Sequence, residues 1–147
     1  MISVRLANSS DATAILTIDK RSNPHPWSEL QLTASLQNDI VFVACDNGNV
    51  VGFAIFFNAI DCFELHLIVS DAVYRQRGIG RALLEHGLRY AAEHQFEQCF
   101  LEVRQSNSIA QRLYSKMNFV EVGVRKNYYP TIDGTEDAVL FSYTFVR

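Results

Sequence analysis

The sequence predicts a mixed α/β domain: a central, largely antiparallel sheet with helices on both faces. Three observations carry that expectation. Apolar runs of strand length outnumber helical ones. The segment Asp46-Asn-Gly-Asn49, set between two such runs, has the chemistry of a tight hairpin. The element order reads β-α-α-β-β-β-α-β-α-β-β, in which several strands follow one another through short links.

Taken in order, Ile2 to Leu6 alternates apolar and polar residues and reads as an opening strand. Ser9 or Ser10 is suited to cap a helix that turns Ala14, Ile15 and Ile18 inward. Asn23-Pro-His-Pro-Trp27 breaks that helix, and Ser28 starts a second, with Gln31 placed as in a capping box. Ile40 to Cys45 and Val50 to Phe57 are apolar strands around the Asn-Gly turn, and Cys62 to Ser70 is a further strand. A glycine-bearing loop, Arg75 to Gly80, runs into a helix over Arg81 to His94, with Leu83, Leu84, Leu88, Tyr90 and Ala91 at helical spacing. Gln98 to Val103 is a strand. Asn107 to Met117 is a helix with Ala110, Leu113, Tyr114 and Met117 on one side. Phe119 to Val124 and Ala138 to Val146 complete the set, around a polar loop.

A chain of 147 residues reads as one domain, 1–147, large enough to bury its own core. A net charge of −3 excludes the basic field of a nucleic-acid binder. It allows a basic peptide or an amine as partner without demanding one. Cys45, Cys62 and Cys99 form no CxxC pair, which argues against a zinc site or redox dithiol. Each sits in an apolar run, where a cysteine acts as a small buried hydrophobe. Free thiols, no secretory start and no membrane-length apolar stretch together read as cytoplasmic. None of the four histidines has the HxxxH spacing of a ligand pair, so no metal is expected. Only His66, on the strand before the glycine loop, is placed to line a site.

That loop, Arg75-Gln-Arg-Gly-Ile-Gly80, carries the most chemistry. Glycine opens backbone conformations closed to other residues and lets a ligand come close. A helix start offers unpaired N–H groups and partial positive charge, which suits a pyrophosphate. Arg75, Arg77 and Arg81 add charge. The third glycine of GxGxxG is missing, as is the Lys-Ser/Thr pair of a P-loop. Tight packing alone is the plain alternative for the glycines.

Downstream, Glu102 lies inside an apolar strand and shares a face with Phe100 and Arg104. A carboxylate there is costly unless paired or used. It reads as half of a salt bridge with Arg104, as an exposed edge position, or as a general base. Tyr114, on the following helix, is either an ordinary core tyrosine or an acid for a leaving thiolate. Asn107 is either a helix cap or a ligand contact.

Together these residues resemble the GNAT N-acetyltransferases, whose acetyl-CoA loop has the form Q/R-x-x-G-x-G/A. The resemblance covers nearly the whole chain. Pro26-Trp-Ser-Glu29, Arg81-Ala-Leu-Leu-Glu-His86, Leu101-Glu-Val-Arg104, Ser106-Asn107 and Leu113-Tyr114 all take part. So do Arg125-Lys-Asn-Tyr-Tyr-Pro130, Asp133-Gly134 and Glu136-Asp-Ala138. They are similar to the RimI-type branch, which acetylates the N-terminal alanine of a small-subunit ribosomal protein.

The resemblance implies a sheet that splays after its fourth strand, with acetyl-CoA as co-substrate in the gap and no metal. It implies Glu102 as proton acceptor and Tyr114 as proton donor. Backbone groups of Ile68, Val69 and Ser70 would pair with the pantetheine arm. Gln76, Arg77, Gly78, Ile79, Gly80 and Arg81 would cradle the pyrophosphate, and Asn107 would add a contact. Arg125 to Pro130 and a Thr131–Asp137 loop would receive the acceptor, a protein N-terminus. Tyr128 and Tyr129 would wall it, and Asp133, Glu136 and Asp137 would attract a basic peptide. Two departures stand out: Ser70-Asp-Ala-Val73 where relatives often have Asp-Pro, and His66 where they more often have a small polar residue. Two further readings remain open: an acetyltransferase of a small amine or several protein N-termini, and a non-catalytic acyl-CoA-binding module. Keeping both Glu102 and Tyr114 argues against the module.

Overall fold

The computed structural model describes residues 1–146. Its elements follow the expected order: β1 (Ile2–Leu6), α1 (Ala12–Ser22), α2 (Glu29–Asn38), β2 (Ile40–Asp46), β3 (Asn49–Asn58), β4 (Phe63–Ser70), α3 (Ile79–Glu93), β5 (Gln98–Arg104), α4 (Ser108–Lys116), β6 (Val120–Thr131) and β7 (Gly134–Thr144). The strands form one sheet in the order β1-β2-β3-β4-β5-β7-β6. Every pairing is antiparallel except β4 with β5.

That one parallel pairing is short. It runs from Phe63 opposite Cys99 to Leu65 opposite Leu101 and then stops. β4 stays on β3 as far as Ser70, and β5 stays on β7 as far as Arg104. The sheet therefore parts into two arms after Leu65 and Leu101, which is the expected splay.

Each face of the sheet has its own core. α3 and α4 cover one, where Phe42, Phe56, Phe63, Leu83, Leu84 and Leu101 pack together. α1 and α2 cover the other, with Ile15, Ile18, Leu32, Val43 and Phe53. α3 comes close enough to the sheet that a Cβ on Gly87 would lie 2.2 Å from Phe56 Cζ. Asn47 (φ 51°) and Gly48 (φ 83°) make the β2–β3 turn, both in the left-handed region that a two-residue hairpin requires.

Ser28 and Gln31 form the expected capping box, with Gln31 N–H 3.1 Å from Ser28 Oγ and Ser28 N–H 3.0 Å from Gln31 Oε1. The first cap is not Ser9 or Ser10. Asn8 caps a short 3-10 turn at Ser9–Asp11 that leads into α1, and the Asp11 carboxylate takes the Asn8 N–H at 2.8 Å. α3 begins at Ile79, inside the glycine loop, because Gly78 serves as its cap. The polar loop expected after Val124 is instead the outer half of a hairpin: β6 continues to Thr131 and β7 starts at Gly134. β6 is a sheet edge, where charges and a proline are tolerated because one side needs no partner.

Candidate active site

The chain leaves β4 through Asp71, whose carboxylate accepts from Arg21 at 2.5 Å and from Val73 N–H at 3.1 Å. Ser22 ties the same segment twice. Its Oγ accepts from Ala72 N–H at 2.9 Å, and its carbonyl accepts from Arg75 at 2.8 Å. The glycine loop is thus fastened to the end of α1 before it turns. Gln76 (φ 65°) and Gly78 (φ 75°) are both left-handed. The first helical bond runs from Ala82 N–H to the Gly78 carbonyl at 2.9 Å. None of the N–H groups from Gln76 to Arg81 finds an acceptor among the described residues. A run of unpaired donors at the positive end of a helix is the donor set that a pyrophosphate needs. The arginines are already engaged: Arg77 lies over Tyr74 at 5.2 Å and Arg81 pairs with Glu85 at 2.8 Å.

Beside this loop is the gap between the arms. Past Leu65, β4 has a partner on its β3 side alone, so backbone groups of Ile68, Val69 and Ser70 that point the other way have no strand to bond. Gly80 lies where the two sides meet: a Cβ there would sit 3.3 Å from Leu113 Cδ2 of α4 and 3.8 Å from Ser70 Oγ. A side chain there would crowd that junction.

β5 presents two different faces to this gap. Cys99, Leu101 and Val103 are buried in the α3–α4 core, which also holds Tyr114. Phe100, Glu102 and Arg104 are half-buried on the opposite face, as alternation predicts. Glu102 and Tyr114 therefore approach from opposite faces of the sheet. Burial raises the Tyr114 phenol well above its ordinary pKa, so it keeps its proton at neutral pH.

On the Glu102 side, a cleft of about 600 Å³ opens at the mouth of the gap. Trp27, Phe100, Leu140, Tyr128 and Tyr129 give it apolar walls, and Glu64, His66, Glu102 and Arg125 bring charged or basic groups to it. Trp27 is brought there by fully buried Asp19, which accepts from Trp27 N–H at 2.9 Å and from Asn23 Nδ2 at 2.8 Å. Glu102 pairs with Arg125 at 3.3 Å, not with Arg104. Arg104 instead lies over the Tyr129 ring at 4.5 Å and binds Glu136 at 3.1 Å. Burial, together with the negative charge of Glu102, pushes the Tyr129 phenol up to about 12.

Comparison with known proteins agrees with this arrangement. The acetyltransferase (GNAT) family matches residues 12–119. The chain belongs to the GNAT acetyltransferase family. An Escherichia coli (strain K12) relative, [Ribosomal protein bS18]-alanine N-acetyltransferase, is 37% identical over 144 residues, covering 97% of each chain. An N-alpha-acetyltransferase of Sulfurisphaera tokodaii is 36% identical, covering 95% of this chain and 90% of its own. The crystal structure of the Escherichia coli ribosomal-protein-S18-alanine N-acetyltransferase superposes with a TM-score of 0.93 at 34% identity, covering 100% of this chain and 96% of that one.

Within this GNAT fold, the residues singled out from the sequence fall into two groups. Ile68 to Ser70 and Gln76 to Arg81 line the gap and its loop, while Glu102 and His66 face the cleft. Asn107 is the cap of α4, its Oδ1 accepting from Ala110 N–H at 3.1 Å. Glu136 and Asp137 are not free to attract a peptide: Glu136 holds Arg104 and Ser106 N–H, and Asp137 holds Lys126 and Asn127 N–H. Cys62 is only partly buried and lines the cleft, unlike Cys45 and Cys99. Glu64 was not among the expected site residues, and Arg125, expected on the acceptor side, also holds Glu102. Glu64 reaches the cleft beside Phe57 and Phe100, its cross-strand neighbours. Among the described residues there is no cluster of three or more His, Cys, Asp or Glu that would hold a metal ion. Among the described residues no helix is long and apolar enough to cross a membrane.

Proposed function

We propose that this GNAT enzyme transfers the acetyl group of acetyl-CoA to the N-terminal alanine of the small-subunit ribosomal protein bS18. The near-full-length similarity to the Escherichia coli enzyme of that specificity carries the reading. The cleft at the mouth of the gap supports it, since a peptide terminus needs amphipathic walls beside a carboxylate. Unpaired donors from Gln76 to Arg81 would hold the pyrophosphate, the free edge of Ile68 to Ser70 the pantetheine arm, and Asn107 Nδ2 a further polar contact. Bound there, acetyl-CoA supplies an activated acetyl group as a thioester.

An α-amine with a pKa of about 7.7–8.0 is largely protonated near neutrality. Glu102 takes its proton, directly or through a water, exchanging Arg125 for the ammonium as partner. A backbone N–H at the end of β4 steadies the developing oxyanion. Tyr114, which stays protonated until it is needed, gives its proton to the departing sulfur. Much of the gain comes from holding amine and thioester side by side.

Free thiol release from acetyl-CoA with short peptides tests this. An Ala-first bS18 peptide should react well, and peptides starting with Met, Ser or Thr, like polyamines, should react poorly. Equal release with all of them would keep the enzyme class and discard the acceptor. No release with any, despite coenzyme binding, would leave a non-catalytic acyl-CoA-binding module. Glu102→Gln should lower kcat by about 10²–10⁴-fold and leave coenzyme affinity unchanged. Parallel losses of both would remove Glu102 from the role of base.

A further inference from the structure

Every turnover of an ammonium into an amide breaks two N–H bonds: three are present at the start and one remains. Glu102 accounts for one of those protons. The other must also leave the nitrogen, to a second acceptor or to solvent.

His66 is placed to be that second acceptor. Leu65 and Leu101 are the last paired residues of the two arms, so His66 is the first residue past the split on β4, as Glu102 is on β5. Both line the same cleft. His66 is also the extra residue of a β-bulge, since Phe56 pairs with Leu65 and Ile55 with Leu67. Its ring stacks on Phe57 with centroids 5.3 Å apart and planes at 9°. Nε2 lies 3.0 Å from Glu64 Oε1, and Nδ1 has no partner among the described residues. A carboxylate only accepts, so a neutral ring held this way carries its hydrogen on Nε2 and offers Nδ1 as acceptor. A base oriented by a third group is the arrangement that proton transfer requires. The other titratable or charged groups around the cleft are Cys62, Glu102, Arg125, Tyr128 and Tyr129. Burial and Glu64 raise the Cys62 thiol, which leaves it protonated and unsuited to a nucleophile's part.

We propose that His66, held by Glu64, accepts at Nδ1 the second proton that leaves the acceptor nitrogen, and that Glu64 is its positioning residue. The proposal rests on the acetyl-transfer reading above. Attack forms the C–N bond and leaves a positive nitrogen, whose remaining surplus proton passes to His66. The C–S bond then breaks and Tyr114 protonates the sulfur. Solvent then takes the protons from Glu102 and His66, the latter side chain being 36% exposed, and one proton returns to Tyr114. The balance is one amide, one thiol and one released proton.

The test compares wild type, His66→Phe, His66→Gln, Glu64→Gln and the Glu64→Gln/His66→Phe double variant with an Ala-first peptide near pH 7. Both His66 variants should lose roughly tenfold or more in kcat, with KM for peptide and coenzyme within about twofold of wild type. Glu64→Gln should lose less, and the double variant no more than His66→Phe alone, because Glu64 acts through the ring. In ¹⁵N imidazole spectra of the free protein, His66 should carry its hydrogen on Nε2, and Glu64→Gln should remove that preference. Unchanged kcat in the His66 variants, or a loss confined to peptide KM, would overturn the proposal. An inactive wild type would instead overturn the acetyl-transfer reading.

Discussion

Glu102 is held by Arg125 from across the sheet, although Arg104 lies two places along its own strand. A bulge between Glu121 and Gly123 decides this. It shifts β6 so that Arg125 pairs with Ala138 and faces the Glu102 side. Tyr114, by contrast, needs no partner in the cleft, since its ring is buried against Phe119 and Phe141. Tyr114→Phe should therefore keep the melting temperature close to wild type and lower kcat by about 10²–10⁴-fold, as measured by thiol release. An unchanged kcat would remove it from the role of acid. The places of Glu102 and Tyr114 were legible in the sequence because plain period-2 and period-3.6 patterns set them on a strand and a helix, while their proposed roles came with the family resemblance. Glu64 was not read as a site residue, and the pairing of Arg125 with Glu102 was not foreseen. His66 and Arg125 reach the cleft through bulges, and a bulge leaves no mark on composition.

At the scale of elements, the glycine loop works because Gly78 adopts φ 75° without strain and caps α3. Nothing lies within 4 Å of a Cβ built there, so the cost of Gly78→Ala is conformational. It should lower stability by about 1–2 kcal/mol in urea titration. It should also weaken coenzyme binding, because the N–H groups from Gln76 to Arg81 depend on that turn. Gly87→Ala tests a different limit: its Cβ would meet three atoms of the Phe56 ring at 2.2 to 2.9 Å. A shift of the ring costs typically about 1–3 kcal/mol, so the melting temperature should fall while coenzyme affinity holds. The loop, the capping box at Ser28 and the Asn47-Gly48 turn could be read from sequence because each rests on contacts a few residues apart. The β6–β7 hairpin could not. Its Arg125-to-Pro130 stretch is polar and contains proline, and only its place at the sheet edge lets it be strand.

At the scale of the molecule, three carboxylates among the described residues sit below their ordinary pKa and anchor different parts of the chain. Asp11 is lowered chiefly by Arg5, at 2.8 and 2.9 Å, and joins β1 to the start of α1. Glu136 is lowered chiefly by Ser106 N–H and Asp137 by Asn127 N–H, and both brace the outer hairpin. A lowered folded pKa contributes stability that is present above the unfolded value and lost as pH falls through the folded one. The ordinary values are 3.8 for the two aspartates and 4.5 for Glu136. Urea midpoints should thus be flat in these contributions above about pH 5 and fall below it, and Asp11→Asn should shallow that fall. An acid limb unchanged by the substitution would count against Asp11 as a contributor. The layout of sheet and helices was legible because element order and hairpin chemistry are local. The splay came only through family likeness, since no residue pattern marks where two parallel strands stop pairing.

That short pairing also divides the chain in time. Within the sheet only three parallel residue pairs join β1–β4 to β5–β7, the shared core under α3 and α4 aside, and parallel pairing is the weaker kind per residue. Amide protons of Phe63–Leu65 and Cys99–Leu101 should exchange with solvent deuterium sooner than those of the β2–β3 ladder. The two arms should then report as two cooperative opening units. A ligand that bridges the gap should slow both units by the same factor, and so turn two clocks into one.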